Sequence, residues 1–109
     1  MRVNRSLRPP ARAVTITGFM GTGKSAVGRG VAARLGLRWL DTDELIERRA
    51  GVPISEIFAQ HGEEHFRDLE SAALAEALAS GAQVLSTGGG ALLRPGNLEL
   101  LQAAGPIVC

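Results

Sequence analysis

Residues Gly18 to Ser25 read Gly-Phe-Met-Gly-Thr-Gly-Lys-Ser, and Lys24 is the chain's only lysine among twelve basic side chains. The stretch fits G-x-x-x-x-G-K-[ST], the spacing of a phosphate-binding loop. Glycines let the backbone curl until successive N–H groups face one anion. A helix starting near Lys24 adds the positive end of its dipole to the same point. A compact ammonium on a flexible stem reaches outer phosphates, a task that arginine's planar fork does not share. The Ser25 hydroxyl offers an oxygen ligand for Mg²⁺. Gly21, Thr22, Gly23, Lys24, Ser25 and Ala26 are therefore the expected nucleotide contacts.

Downstream, Leu40-Asp41-Thr42-Asp43 places two acids two residues apart where a strand gives way to a helix. One reading is helix capping, for which Asp and Thr are well suited. The other is phosphoryl transfer, with one acid holding metal-bound water and the other hydrogen-bonding the attacking hydroxyl. Arg67, in Phe66-Arg67-Asp68-Leu69-Glu70, also has two readings. It either clamps a carboxylate with its planar fork or pairs at the surface with Glu63 or Glu70. Gly88, Gly89 and Gly90 follow an apolar run, which implies close backbone approach, unusual dihedrals or a flexible turn.

One further motif competes. His61-Gly62-Glu63-Glu64-His65 spells H-x-x-E-H, an inverted zinc-protease signature. Gly62 breaks the helix that the motif requires, and no third ligand is evident, so solvated histidines are expected.

The elements that must position these groups alternate along the chain. Ala13 to Thr17 is a short uncharged β-rich run, and helical spacing of Val27, Val31 and Leu35 follows, up to Gly36. Arg38 to Leu40 makes a second strand, and Thr42 is placed to cap a helix bearing Leu45 and Ile46. A short helix from Pro53 carries Ile57 and Phe58. Gly62 separates it from a longer one, Glu63 to Ala79, striped by Phe66, Leu69, Ala73, Leu74, Ala77 and Leu78. Gln83 to Ser86 is a third strand, Asn97 to Ala103 a last helix, and Pro106 to Cys109 the start of a fourth strand. Such alternation predicts an α/β fold, a parallel sheet with helices on both faces in three layers. The loops after Thr17, Leu40 and Ser86 then share the carboxyl edge, where ligands gather.

Composition narrows the function class. A formal charge of +1 over 109 residues argues against a nucleic-acid partner. No apolar run approaches membrane-spanning length. A single cysteine, Cys109, excludes an internal disulfide and suits a reducing cytoplasm. Residues 1–12, basic and broken by Pro9-Pro10, are expected to be a disordered lead-in to a domain over 13–109.

Taken together, GFMGTGKS, LDTDELIE, ISEIFAQHGEEHFRDLE and STGGG resemble the shikimate kinases, in that family's order and with similar spacing. The resemblance runs from Ala13 to Cys109 and implies a P-loop NTPase-type kinase, cytoplasmic and monomeric. It would use ATP and Mg²⁺ to phosphorylate the 3-hydroxyl of shikimate, a step toward chorismate and aromatic amino acids. By the same resemblance Lys24 and Asp43 are catalytic, and Ser25 and Asp41 support Mg²⁺. Asp43, Arg67, Gly88, Gly89 and Gly90 contact shikimate, and Glu70 holds Arg67. The family pattern continues beyond Pro106 with a lid and a further strand, so the expectation is a domain truncated before both. The alternative is a catalytically incomplete shikimate- or nucleotide-binding module. Ala26 stands where the family commonly has threonine.

Overall fold

A computed structural model of the chain describes residues 13–18 and 24–108, the side chains of residues 24–27 excepted. Strand β1 spans Val14–Gly18, and helix α1 spans Lys24–Leu35. Strand β2 is Trp39–Asp41, helix α2 Thr42–Ala50 and helix α3 Ile54–Ala79. Strand β3, Val84–Gly88, leads into a 3₁₀ helix, Gly89–Leu93. Helix α4, Pro95–Ala104, precedes strand β4, Ile107–Val108. The four strands form one sheet in the order β2-β3-β1-β4, and every pairing is parallel.

Parallel pairing sends all strand ends to one edge. Gly18 lies beside Gly88 and Asp41 beside Ser86, so β1, β2 and β3 end at one edge. Alternation along the strands divides the two faces. Leu85 points to the side where Leu74, Ala77, Ala91 and Leu101 from α3, the 3₁₀ helix and α4 close the main core. Leu74, Leu85 and Leu101 are completely buried, each contributing about 1.5–3 kcal/mol by transfer from water. Ile16 and Ser86 point to the opposite side, against α1.

There α1 departs from the expected register. Val31 and Leu35, the predicted apolar stripe, are exposed at 43% and 66%. Gly28 and Ala32 face the sheet instead. A Cβ on Gly28 would lie 2.9 Å from Ser86 Oγ and 3.3 Å from Ile16 Cδ1. The helix seats so close to the strands that small residues form its contact face.

The predicted stripe on α3 is buried as expected, but it serves two cores. Phe66 and Ala73 pack with Leu45, Ile46 and Ile57 beneath α2, while Leu74 and Ala77 join the sheet core. The predicted break is also present. Gly62, at φ 84° and ψ 174°, interrupts α3 between its short first part and its long second part. A side chain would be strained at that φ.

Several boundaries shift, with β1 moved one residue on to Val14–Gly18 and β4 starting at Ile107. The helix expected from Asn97 starts at Pro95, and Arg38 precedes β2. Strand β3 starts at Val84 rather than Gln83 and runs through Gly88. Only Gly89 and Gly90 of the triple glycine therefore lie beyond it, in the 3₁₀ helix.

Candidate active site

At the carboxyl end of β2, Asp41 leaves the strand and caps α2. Its Oδ1 accepts from the backbone N–H groups of Asp43 at 2.8 Å and Glu44 at 3.2 Å. Capping was expected of Thr42, but Thr42 is the helix's first residue and is fully buried. Its hydroxyl donates to the Ser86 carbonyl at 3.3 Å, tying α2 to β3. An extended backbone at Asp41 (φ −104°, ψ 121°) turns its carboxylate toward the N–H groups, which is the N-cap geometry. The capping reading thus falls on Asp41 rather than Asp43. Asp41 bonds the helix start, and Asp43 is set one step further in.

Asp43 lies over the end of β3. A Cβ on Gly88 would meet Asp43 Oδ2 at 3.6 Å. Burial raises the Asp43 carboxyl pKa to about 6, with further upward contributions from the charges of Asp41, Glu70 and Glu47. Arg67 opposes them. A carboxyl poised near neutrality is suited to accept a proton.

The Gly88 carbonyl is itself pinned, accepting from the Thr17 and Thr87 hydroxyls at 3.2 Å each. None of Gly88, Gly89 and Gly90 has positive φ. At Gly90 the reason for glycine is space rather than dihedral freedom, whereas at Gly88 a Cβ would make only ordinary contact. A Cβ on Gly90 would lie 2.6 Å from both terminal nitrogens of Arg67. Gly89 is exposed and opens the 3₁₀ helix.

Arg67 projects from the long part of α3 into this corner. Its Nη1 donates to Glu70 Oε1 at 2.9 Å, and its Nη2 to Glu63 Oε2 at 3.4 Å. Both acids named in the surface-pair reading are thus contacted, yet the pairing with Glu70 is no surface pair. Glu70 is 1% exposed and Arg67 18%, whereas Glu63 is 65% exposed. Burial pulls the Arg67 pKa down, but Glu70 and Glu63 together outweigh it and leave it raised. The Glu70 carboxyl shifts upward because its burial exceeds what Arg67 returns. The guanidinium is thereby aimed from below, and its face also lies 5.2 Å from the Phe66 ring.

Asp43, Arg67, Glu70, Gly88 and Gly90 therefore meet in one corner, at the end of β3 between α2 and α3. Loop residues 19–23, with Gly21, Thr22 and Gly23, lie outside the described residues, as do the side chains of Lys24, Ser25 and Ala26. Residues 1–12 and Cys109 lie outside as well. His61 and His65 stand apart on the exposed side of α3, their ring centroids 4.6 Å apart. Among the described residues, no three His, Cys, Asp or Glu side chains are grouped as a metal site.

The sequence reading missed Arg94 and Asn97. Arg94 leaves the 3₁₀ helix and pairs with Glu64 at 2.9 Å and Asp68 at 3.0 Å on α3. Asn97 Nδ2 donates to the Ala91 carbonyl at 2.9 Å from a buried position. The one available signal was an amide side chain three residues after the arginine in an otherwise apolar stretch.

The family model for shikimate kinase matches residues 20–109. A shikimate kinase of Geobacter metallireducens is 55% identical over 97 residues, covering 89% of this chain and 54% of that protein. Another, of Geobacter sulfurreducens, is 48% identical and covers 99% and 61%. The chain thus spans little more than half the length of these relatives. Among solved structures, shikimate kinase from Acinetobacter baumannii in complex with shikimate superposes with a TM-score of 0.82. That pair is 41% identical, and the match covers 89% of this chain and 54% of the other.

Proposed function

Because this chain belongs to the shikimate kinase family, we propose that it phosphorylates the 3-hydroxyl of shikimate with ATP, giving shikimate 3-phosphate and ADP. The observation that carries the reading is the meeting of Asp43 and Arg67 at the glycines that end β3. A small hydroxy acid needs a cation for its carboxylate and an acceptor for its hydroxyl proton, a few ångströms apart in one corner. Arg67 supplies the first, held charged by Glu70. Asp43 supplies the second, its carboxylate hydrogen-bonding the attacking hydroxyl and accepting the proton as the O–P bond forms. Gly88 leaves bare backbone beside Asp43, and Gly90 lets the Arg67 fork close against backbone.

The nucleotide would lie on the opposite side of the hydroxyl, in the loop of Gly21, Thr22 and Gly23 that enters α1. Lys24 and the first backbone N–H groups of α1 would neutralise charge developing on the transferring group. Carboxylate and hydroxyl oxygens at Asp41 and Ser25 are the donor chemistry that Mg²⁺ takes. When bound, Mg²⁺ would supply further charge neutralisation at the phosphates. Among the described residues no helix is long and apolar enough to cross a membrane. The cytoplasmic location belongs to the proposal through the family resemblance.

A coupled assay for shikimate-dependent ADP release tests the reaction, and calorimetry with shikimate alone tests the corner. Release of ADP with shikimate, lost in Arg67→Ala and Asp43→Asn, is the expected result. A chain that neither binds shikimate nor releases ADP with it would sink the proposal.

A further inference from the structure

We infer that Arg94 is a positioning residue for substrate binding: it braces the glycine turn against α3 and so sets the gap at the Arg67 guanidinium. This rests on the proposed function, since the gap matters only if Arg67 receives a substrate carboxylate.

The turn and the arginine belong to different elements. Gly90 sits in the 3₁₀ helix, Arg67 on α3, and there is no room between them for a methyl group. A displacement of a few tenths of an ångström between these elements would therefore change what fits. Arg94 spans them. Its backbone carbonyl accepts from the Asn97 and Leu98 N–H groups at 3.0 and 3.2 Å and so starts α4. Its side chain reaches Glu64, Asp68 and, at 3.4 Å, the Ser71 hydroxyl. Those three residues form one row on α3, beside the row of Glu63, Arg67 and Glu70. Asn97, bonded to Ala91, stiffens the turn from its other end.

Stability alone does not account for this arrangement. Glu64 and Asp68 are 91% and 66% exposed, and exposed ion pairs of this kind contribute little to folding. Three partners nevertheless define one position for a planar guanidinium, which a single ammonium would not reproduce. Burial holds the Glu70 carboxyl above its ordinary value, and Arg94 lies close enough to join Arg67 in drawing it back down.

The test compares the whole chain with Arg94→Ala and Arg94→Lys. Calorimetry gives the dissociation constants for shikimate and for ATP, and NMR follows the Gly90 amide and Arg67 Nε in the unliganded protein. Arg94→Ala should weaken shikimate about tenfold, leave ATP unchanged and move both resonances. Arg94→Lys should recover only part of the loss. Unchanged shikimate binding, or equal losses for shikimate and ATP, would overturn the inference. If the parent chain binds no shikimate, the functional reading fails instead. The two resonances then decide alone whether Arg94 sets the gap, and static resonances overturn it.

Discussion

Gly90 stands where a single methyl group would come within 2.6 Å of both Nη atoms of Arg67. The colliding atoms are the far end of a flexible side chain, so the chain can escape by moving the guanidinium. Gly90→Ala should therefore fold with a stability change of no more than about 1 kcal/mol. Its affinity for shikimate should fall about tenfold or more, because the displaced fork no longer aims at the carboxylate. Gly88→Ala meets Asp43 only at ordinary contact distance and should retain more affinity. Calorimetry on the two variants checks the order, and the reverse order would contradict it.

Asp43 should titrate far above a free aspartate. Burial and the neighbouring acids Asp41, Glu70 and Glu47 place its pKa at about 6, with Arg67 restraining the rise. In the magnesium-free chain, a side-chain carboxyl resonance should follow that midpoint, and Asp41→Asn should lower it. Stability follows with a definite sign. Between the unfolded value of about 3.9 and about 6, the folded chain keeps a proton that the unfolded chain has lost. The stabilisation from Asp43 is complete below the lower value and is lost as pH rises through about 6. Denaturation at both ends of that window should lose this component in Asp43→Asn. Turnover in that variant should drop by about 10²–10⁴.

Replacing Glu70 by Gln keeps the shape and removes the charge. Arg67 is left with the exposed Glu63, so stability should fall by about 1–3 kcal/mol. The lower end is expected, because burial already opposes the Glu70 charge. Loss of that charge should also lower the Asp43 pKa, since Glu70 is among its upward influences. Shikimate should bind more weakly to this variant. Wild-type affinity together with an unmoved Asp43 titration would show that Glu70 is not part of the site.

Gly28 is a packing position where α1 meets the sheet. Gly28→Ala would press on Ser86 Oγ, Ile16 and Trp39 Nε1, and Trp39 donates to Ser86 Oγ at 3.0 Å. Forcing α1 off the sheet should destabilise the protein by about 1–3 kcal/mol. Trp39 is the chain's only tryptophan, so its emission reports the change directly.

Much of this was legible before any coordinates. The strand and helix order follows from apolar periodicity with glycine and proline at the ends, and all four strands are present. The break at Gly62 could be foreseen because one residue type alone sits easily at that φ. Asp43 and the triple glycine stood out by type and spacing, the family resemblance added Arg67 and Glu70 to the site, and five of these six residues occupy one corner. The sixth, Gly89, lies beside them in the turn.

What the linear order could not specify was distance. Helical spacing marks Val31 and Leu35 as readily as Gly28 and Ala32, and only the closeness of α1 to β3 selects the small face. Asp41 and Thr42 are equally good caps on paper, and the direction in which β2 enters α2 decides between them. Arg94 looked ordinary because its partners lie 23 to 30 residues away on another helix. The residue types and their rhythm were thus determined by the chain itself. Which charge is buried, which glycine is crowded and which arginine braces which turn depend on separations that exist only once the elements have packed.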